Sequence, residues 1–345
     1  MANNRKVLLT GITGFVGSHT AIQLLEKGYQ VIGTLRDMKR ANSIRKIIAQ
    51  HTSETDNLSF AEADIKDEQV WQKLMVDIDY VQHIASPFPK IMPRDENELI
   101  IPARQGNINI LSAASASGVK RVVITSSTAA VAYGQTKERR RRTFDETDWT
   151  DLERGNDIAP YFKSKTLAEK AAWDFMKNDH SGLELSVVCP GLILGPLLEE
   201  DFNASANVVI KLLDGSMPAV PQIGFDMVDV RSIASLLILA MEQPQAGNQR
   251  YIGSSGFITF TEIAGILKKA YPKMKIPSLK LPNFMVHILS LFDATLKPIL
   301  LDLGTERKMN NSKAINDLGW KPIKPEVAVL SCAASILQLG IVKQK

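Results

Sequence analysis

"LLTGITGFVGSH", residues 8–19, sets Gly11, Gly14 and Gly17 three apart, just after the apolar run 7–9 and just before a stretch of helical periodicity. Each glycine answers a different geometric need. Gly11 permits a tight turn after a strand, Gly14 lets the backbone approach a diphosphate, and Gly17 lets the following helix pack close to the strand. The N-terminus of that helix then offers N–H groups and the positive end of its dipole to an anion. Three spaced glycines also occur in ordinary turns. The strand before, the helix after and the surrounding β-α-β unit make this a dinucleotide fingerprint. It names a ligand and leaves the reaction open.

Outward from this stretch, strand and helix signals alternate. "YQVIGTLR" (29–36), "LSFAEADI" (58–65), "DYVQHIAS" (79–86), "KRVVITSS" (120–127) and "ELSVVCPG" (184–191) read as strands. Between them lie helical patterns at 38–51, 67–75, 103–118 and 167–178. Repeated β-α-β units imply a parallel sheet with helices on both faces, a doubly wound α/β fold of the Rossmann type. After Gly191 the rhythm loosens around Pro196, Pro218 and Pro221, and "SIASLLILAMEQ" (232–243) alone returns to the sheet-covering type. The expected organisation is a dinucleotide-binding unit over 1–191, rejoined by 226–245, with a smaller substrate lobe from 192–225 and 246–345. The apolar stretch 284–303 is broken by His287, Asp293, Lys297 and Pro298, and reads as buried or groove-forming helices.

The end of the second strand selects the dinucleotide. An NAD site usually puts a carboxylate there for the ribose hydroxyls. Here Leu35 holds that position, followed by Arg36, with Lys39 and Arg40 close behind. A guanidinium chelates a 2′-phosphate in two-pronged fashion, so the pattern favours NADP(H), while Asp37 leaves NAD open. "PYFKSKTLAEKAAW" (160–173) then places Tyr161 and Lys165 four apart at a helix entrance, on one face. A phenol is a poor acid–base group at neutral pH unless a neighbouring cation favours the phenolate. "VVITSSTAAV" (122–131) offers Ser126, Ser127 and Thr128 at the end of the fifth strand, where open parallel sheets bind ligands.

Together "TGITGFVGSH", "TSS", "YFKSK", "CPGLILGP" and "DLGWKP" (317–322) resemble the extended short-chain dehydrogenase/reductase family. Within it they are most similar to the dihydroflavonol reductase-like branch, which includes aldehyde and ketone reductases of the methylglyoxal type. The resemblance implies Ser127 as hydrogen-bond donor to the reacting oxygen, Tyr161 as proton donor, and Lys165 lowering the tyrosine pKa while holding the nicotinamide ribose. It implies cofactor contacts at Thr10, Gly11, Gly14, Phe15, Val16, Gly17 and Arg36, with Lys39 beside them. Asp64 and Ile65 are expected by the adenine, Ala85 by the ribose, and Pro190, Leu192 and Ile193 by the nicotinamide. The expected reaction is NADPH-dependent reduction of a small ketone or aldehyde. A nucleotide-sugar epimerase or dehydratase on the same scaffold, or a non-catalytic NAD(P)-binding sensor, is the alternative. The plant cinnamoyl-CoA reductase signature around the tyrosine is not matched by "PYFKSK".

Bulk properties set the remaining expectations. A chain of 345 residues, 45% apolar and 23% charged with net charge +4, reads as globular and gives no ground for a nucleic-acid partner. Two cysteines make no disulfide framework and point to a reducing, cytoplasmic setting. "MANNRKVLLTG" has too short an apolar run for a signal-peptide core, and no run of about 18 apolar residues suggests a membrane span. Five scattered histidines without ligand spacing give no metal site; His83 and Cys189 read as packed core residues. Asp229 with Arg231 reads as a helix-start ion pair, and "KERRRR" (137–142) as a solvated loop face rather than an anion trap. A small-molecule carbonyl compound is the expected partner; the apolar helices leave pairing into a homodimer open and equally suit the core, so the sequence does not fix the oligomeric state. No motif names the substrate.

Overall fold

The computed structural model describes residues 5–87, 93, 95–154, 157–200, 205–291 and 298–343. The first half alternates strictly: β1 (Lys6–Thr10), α1 (Phe15–Glu26), β2 (Gln30–Leu35), α2 (Ala41–Ala49), β3 (Leu58–Glu62), α3 (Glu68–Leu74), β4 (Tyr80–His83), α4 (Asn97–Ala116), β5 (Arg121–Thr125), α5 (Pro160–Asn178) and β6 (Glu184–Pro190). Then come β7 (Leu192–Leu194), α6 (Ala206–Leu213), β8 (Val220–Pro221), β9 (Gly224–Asp229), α7 (Val230–Glu242) and β10 (Gln249–Gly253). The chain ends with β11 (Gly256–Thr259), α8 (Phe260–Ala270), β12 (Lys280–Leu281), α9 (Asn283–Leu289), α10 (Ser312–Leu318) and α11 (Pro325–Gln338).

Among the described residues a seven-stranded sheet runs β10-β6-β5-β4-β1-β2-β3, every pair parallel. This is the doubly wound α/β architecture. Its strands read as near-continuous apolar runs because both faces are covered. Val7 and Leu9 face one core with α1, α2 and α7, while Leu8 between them faces the other with α3, α4 and α5. Val123 and Val188 take the first side, and Val122, Ile124, Val187 and Cys189 the second.

A three-stranded sheet, β11-β9-β7, and the short pair β12-β8 carry a third core with α6, α8 and α11. Residues 249–253, assigned from sequence to the substrate lobe, instead form the edge strand of the main sheet. Tyr251 and Ile252 enter opposite cores, and Arg250 just before them is buried because it finds an acidic partner. Helix α4 starts six residues before its expected beginning and runs through Pro102. Helix α5 starts at Pro160, a residue suited to a first helical position because its missing N–H has no partner to lose there.

The stretch 284–303, expected as buried or groove-forming helices, is not buried along α9. In α9 only Val286 is buried, while Phe284 is 65% exposed, Ile288 51% and Leu291 beyond it 79%. Residues 292–297 lie outside the described set. No described helix is long and apolar enough to cross a membrane.

Candidate functional site

The strands β1, β2, β4, β5 and β6 all end on one edge of the sheet, and the sequence-selected residues gather there. Gly11 follows β1 with φ +74°, a left-handed conformation that glycine adopts without strain. A Cβ on Gly17 would lie 2.1 Å from the Gly11 carbonyl oxygen, so the helix meets the turn at a distance open only to glycine. Gly14 is the N-cap of α1 and its N–H bonds the Gly11 carbonyl at 2.9 Å. Phe15, Val16 and Gly17 form the first turn, and no side-chain cap covers it. Such a turn leaves amide groups directed at the sheet edge, the donor set a diphosphate requires.

Thr10 is fully buried, and its hydroxyl serves the fold. It accepts from the Ile84 and Ala85 amides at 3.1 and 3.0 Å and bonds His83 Nδ1 at 2.9 Å. This bond network fixes Ala85 against Gly11 across the β1–β4 edge. Leu35 is buried at the end of β2, while Arg36 and Lys39 are exposed with no ion pair among the described residues. Arg40, by contrast, is committed to Glu199 at 2.9 Å. Asp64, exposed beyond β3, accepts the Lys66 amide, and the Ile65 carbonyl holds Asn109 Nδ2 at 3.0 Å. Pro190 is buried at the end of β6; Leu192 and Ile193 lie half-buried in β7, opposite Met227 and Val228. The glycine crowding, the uncapped first turn and the exposed cations past Leu35 fit a dinucleotide carrying a further phosphate.

Ser127 leaves β5 in extended conformation and caps a short turn by accepting the Ala129 amide at 3.1 Å. Its hydroxyl also hydrogen-bonds Tyr161, which stands in the first turn of α5. Burial pushes the Tyr161 phenol above its usual value, against the opposing Ser127 bond, so the group is protonated at neutral pH. Lys165, one turn on, donates to the Thr125 carbonyl at 3.3 Å, and burial brings its ammonium down to about 8. The lysine was expected to lower the tyrosine; its Nζ faces the strand end, and Ser127 is the group opposing the rise. Ser126 is turned inward, donating to Glu169 at 2.5 Å. His83 and Asn107 line a small polar cavity with Lys165, and burial takes the His83 imidazole down to about 3, hence neutral.

Beside Ser127 opens a second cavity, lined among others by Tyr133, Leu192, Phe225, Asp226, Arg307 and Met309. Tyr133 stacks on Phe162 with ring centroids 3.8 Å apart, and its hydroxyl reaches Asp302 at 3.2 Å. Arg307 lies over the Tyr133 ring at 4.3 Å, pairs with Asp302, and reaches Asp157 at 2.7 Å. Burial raises Asp226 and Asp302 to about 6 each. Of these, sequence reading had singled out Leu192 alone, since no local pattern joins residues that far apart. Glu169 was within reach, lying four residues beyond Lys165 in the same helix.

The tempting residues resolve as structural. Asp229 caps α7 and holds Arg231 at 2.6 Å. Cys189 is buried, its thiol pushed up to about 12. The basic loop is only half solvated: Arg139 pairs with Asp148 and lies over Phe144, and Arg140 pairs with Asp157 at 3.0 Å. Arg141 and Arg142 are exposed. No cluster of potential metal ligands occurs among the described residues.

Residues 7–253 match the NAD dependent epimerase/dehydratase family. A dihydroflavonol 4-reductase of Zea mays is 32% identical over 79% of this chain and 76% of its own. A cinnamoyl-CoA reductase of Medicago truncatula is 32% identical over 79% and 82%. Among solved structures, a yeast methylglyoxal/isovaleraldehyde reductase complexed with NADPH superposes with TM-score 0.81 at 28% identity, covering 97% of this chain and 99% of that one.

Proposed function

Because this chain belongs to the NAD dependent epimerase/dehydratase family, we propose that it is an NADPH-dependent reductase of a small ketone or aldehyde, with Ser127, Tyr161 and Lys165 acting on the carbonyl oxygen. The observation that carries this reading is the hydrogen bond between the Tyr161 and Ser127 hydroxyls at the sheet edge on which β1, β4 and β6 also end. Bound NADPH supplies a hydride for the carbonyl carbon. The chain supplies everything else. Tyr161 holds a proton at its Oη and passes it to the oxygen. Ser127 donates a hydrogen bond to the same oxygen as its charge develops, an interaction stronger in the transition state than before it. Lys165, cationic below about pH 8, stabilises the negative charge left on the phenol oxygen. The amides of the α1 turn take the diphosphate, and Arg36 and Lys39 the 2′-phosphate.

The division of labour follows the cores. Residues 1–191 with 226–245 hold the cofactor, now joined by the 249–253 edge strand. The remainder of 192–345 closes over the substrate, with Tyr133, Phe225 and Met309 excluding water from the oxygen. Two buried, unpaired cysteines support a reducing, cytoplasmic setting. The exposed apolar face of α9 is the surface we assign to a homodimer.

The test is a panel of aldehydes and ketones assayed by loss of NADPH absorbance with the purified protein. A reductase turns over added NADPH with simple carbonyl compounds. A protein that copurifies with tightly held nicotinamide and oxidises no added NADPH belongs with the epimerases, and the reading fails.

A further inference from the structure

Behind Ser127, Tyr161 and Lys165 lies a buried ion pair that the reaction just described does not use. Glu169 is 1% exposed and sits one turn beyond Lys165 on α5. Its Oε1 accepts Arg250 Nε at 2.6 Å and the Trp173 indole at 3.3 Å, and its Oε2 accepts Ser126 Oγ at 2.5 Å. Arg250 comes from the far edge strand β10 and lies 3.9 Å over the Trp149 ring. It also bonds the carbonyls of Asp148 at 2.6 Å and Glu146 at 3.1 Å.

The pattern along α5 is regular. Its successive turns hold three successive residues of the β5 exit: Tyr161 meets Ser127, Lys165 meets Thr125, and Glu169 meets Ser126. On the basis of the reading above, we propose that Glu169 is a positioning residue for carbonyl reduction. Its carboxylate, held by Arg250, fixes the strand end bearing Ser127 to the helix bearing Tyr161 and Lys165 and offsets the burial of the lysine ammonium. A buried ion pair contributes little stability relative to apolar residues of the same volume, so its value lies in placement and charge.

Charge acts in the same direction as geometry. Burial lowers Lys165, and Glu169 and Cys189 are the groups that oppose it. The Cys189 thiol, pushed up to about 12, is uncharged at working pH. Glu169 is therefore the negative charge that Lys165 feels. Without it, no negative charge would offset the burial of the Lys165 ammonium, and the lysine would lose its proton at lower pH.

The test measures kcat and KM from pH 6 to 10 for Glu169→Gln, Ser126→Ala and Tyr161→Phe, using NADPH and isovaleraldehyde or the most active panel compound, with NADPH affinity from fluorescence. Glu169→Gln is expected to lower kcat about tenfold or more with NADPH affinity within about threefold, and to move the alkaline limb down by about one pH unit. Ser126→Ala is expected to lower kcat with the limb in place. Wild-type kcat and limb in Glu169→Gln overturn the proposal, as does an activity loss matching only the loss of folded protein. Should Glu169→Gln fail to fold, wild-type kcat in Ser126→Ala overturns it. Tyr161→Phe separates the two ideas: turnover in that variant sinks the catalytic reading itself, whereas its inactivity beside a normal Glu169→Gln sinks the positioning role alone.

Discussion

The two halves of the site are built in opposite ways. In the glycine turn the groups that matter lie within seven residues, and Gly17 would touch Gly11 if it carried a Cβ. In the cavity beside Ser127, Arg307 reaches Asp157 across 150 residues and Tyr133 reaches Asp302 across 169. The first half is a local shape dictated by backbone, so any side chain added there obstructs it. The second is a charge network that exists only once the fold has closed, so a side chain removed there leaves partners buried and unpaired.

That contrast can be broken at either end. The largest effect is expected in the cavity: Arg307→Met leaves Asp302 without its guanidinium and Asp157 with Arg140 alone, and should destabilise the chain by about 3–5 kcal/mol, read by chemical denaturation. A loss below about 1 kcal/mol would show the network to be ornamental. Next comes the turn. Gly17→Ala places a methyl against the Gly11 carbonyl and should cost about 1–3 kcal/mol, with NADPH affinity falling in parallel by titration; unchanged affinity would separate the turn from the ligand.

Smaller still, Arg36→Ala removes an exposed cation and should weaken NADPH about tenfold while leaving NADH nearly unaffected. Equal losses for both nucleotides would remove Arg36 from the phosphate site. Last, Arg141→Ala on the solvated side of the basic loop should change stability by less than about 0.5 kcal/mol, measurable as an almost unmoved denaturation midpoint. A clear drop there would mean that the loop's exposed arginines are structural, like Arg139 and Arg140.

The same contrast explains what could be read from the sequence. The strand–helix alternation, the glycine turn, Leu35 with its following cations, and the Tyr161–Lys165 spacing are short-range patterns set by sterics and helical periodicity. They survive without knowledge of the fold. Strand β10 was missed because "QRYIG" carries a charged residue, and Arg250 becomes a core side chain through partners far off in sequence, Glu169 81 residues away and the carbonyls of Glu146 and Asp148. Arg139 and Arg140 looked like solvent-facing charges because their partners, Asp148 and Asp157, are set against them only by the folding of the segment between β5 and α5. Around α9 composition left burial or a groove-forming helix open, and the helix presents Phe284 and Ile288 outward, against the first of these.

One experiment goes directly to the shared oxygen site. Removing a single oxygen atom by Tyr161→Phe leaves the turn, the cations and the cavity intact, while no protonated phenol remains to meet Ser127. Turnover of NADPH with the best panel carbonyl should fall by about a hundredfold to ten-thousandfold with NADPH affinity almost unchanged; a variant that still reduces that compound at the wild-type rate would contradict the account.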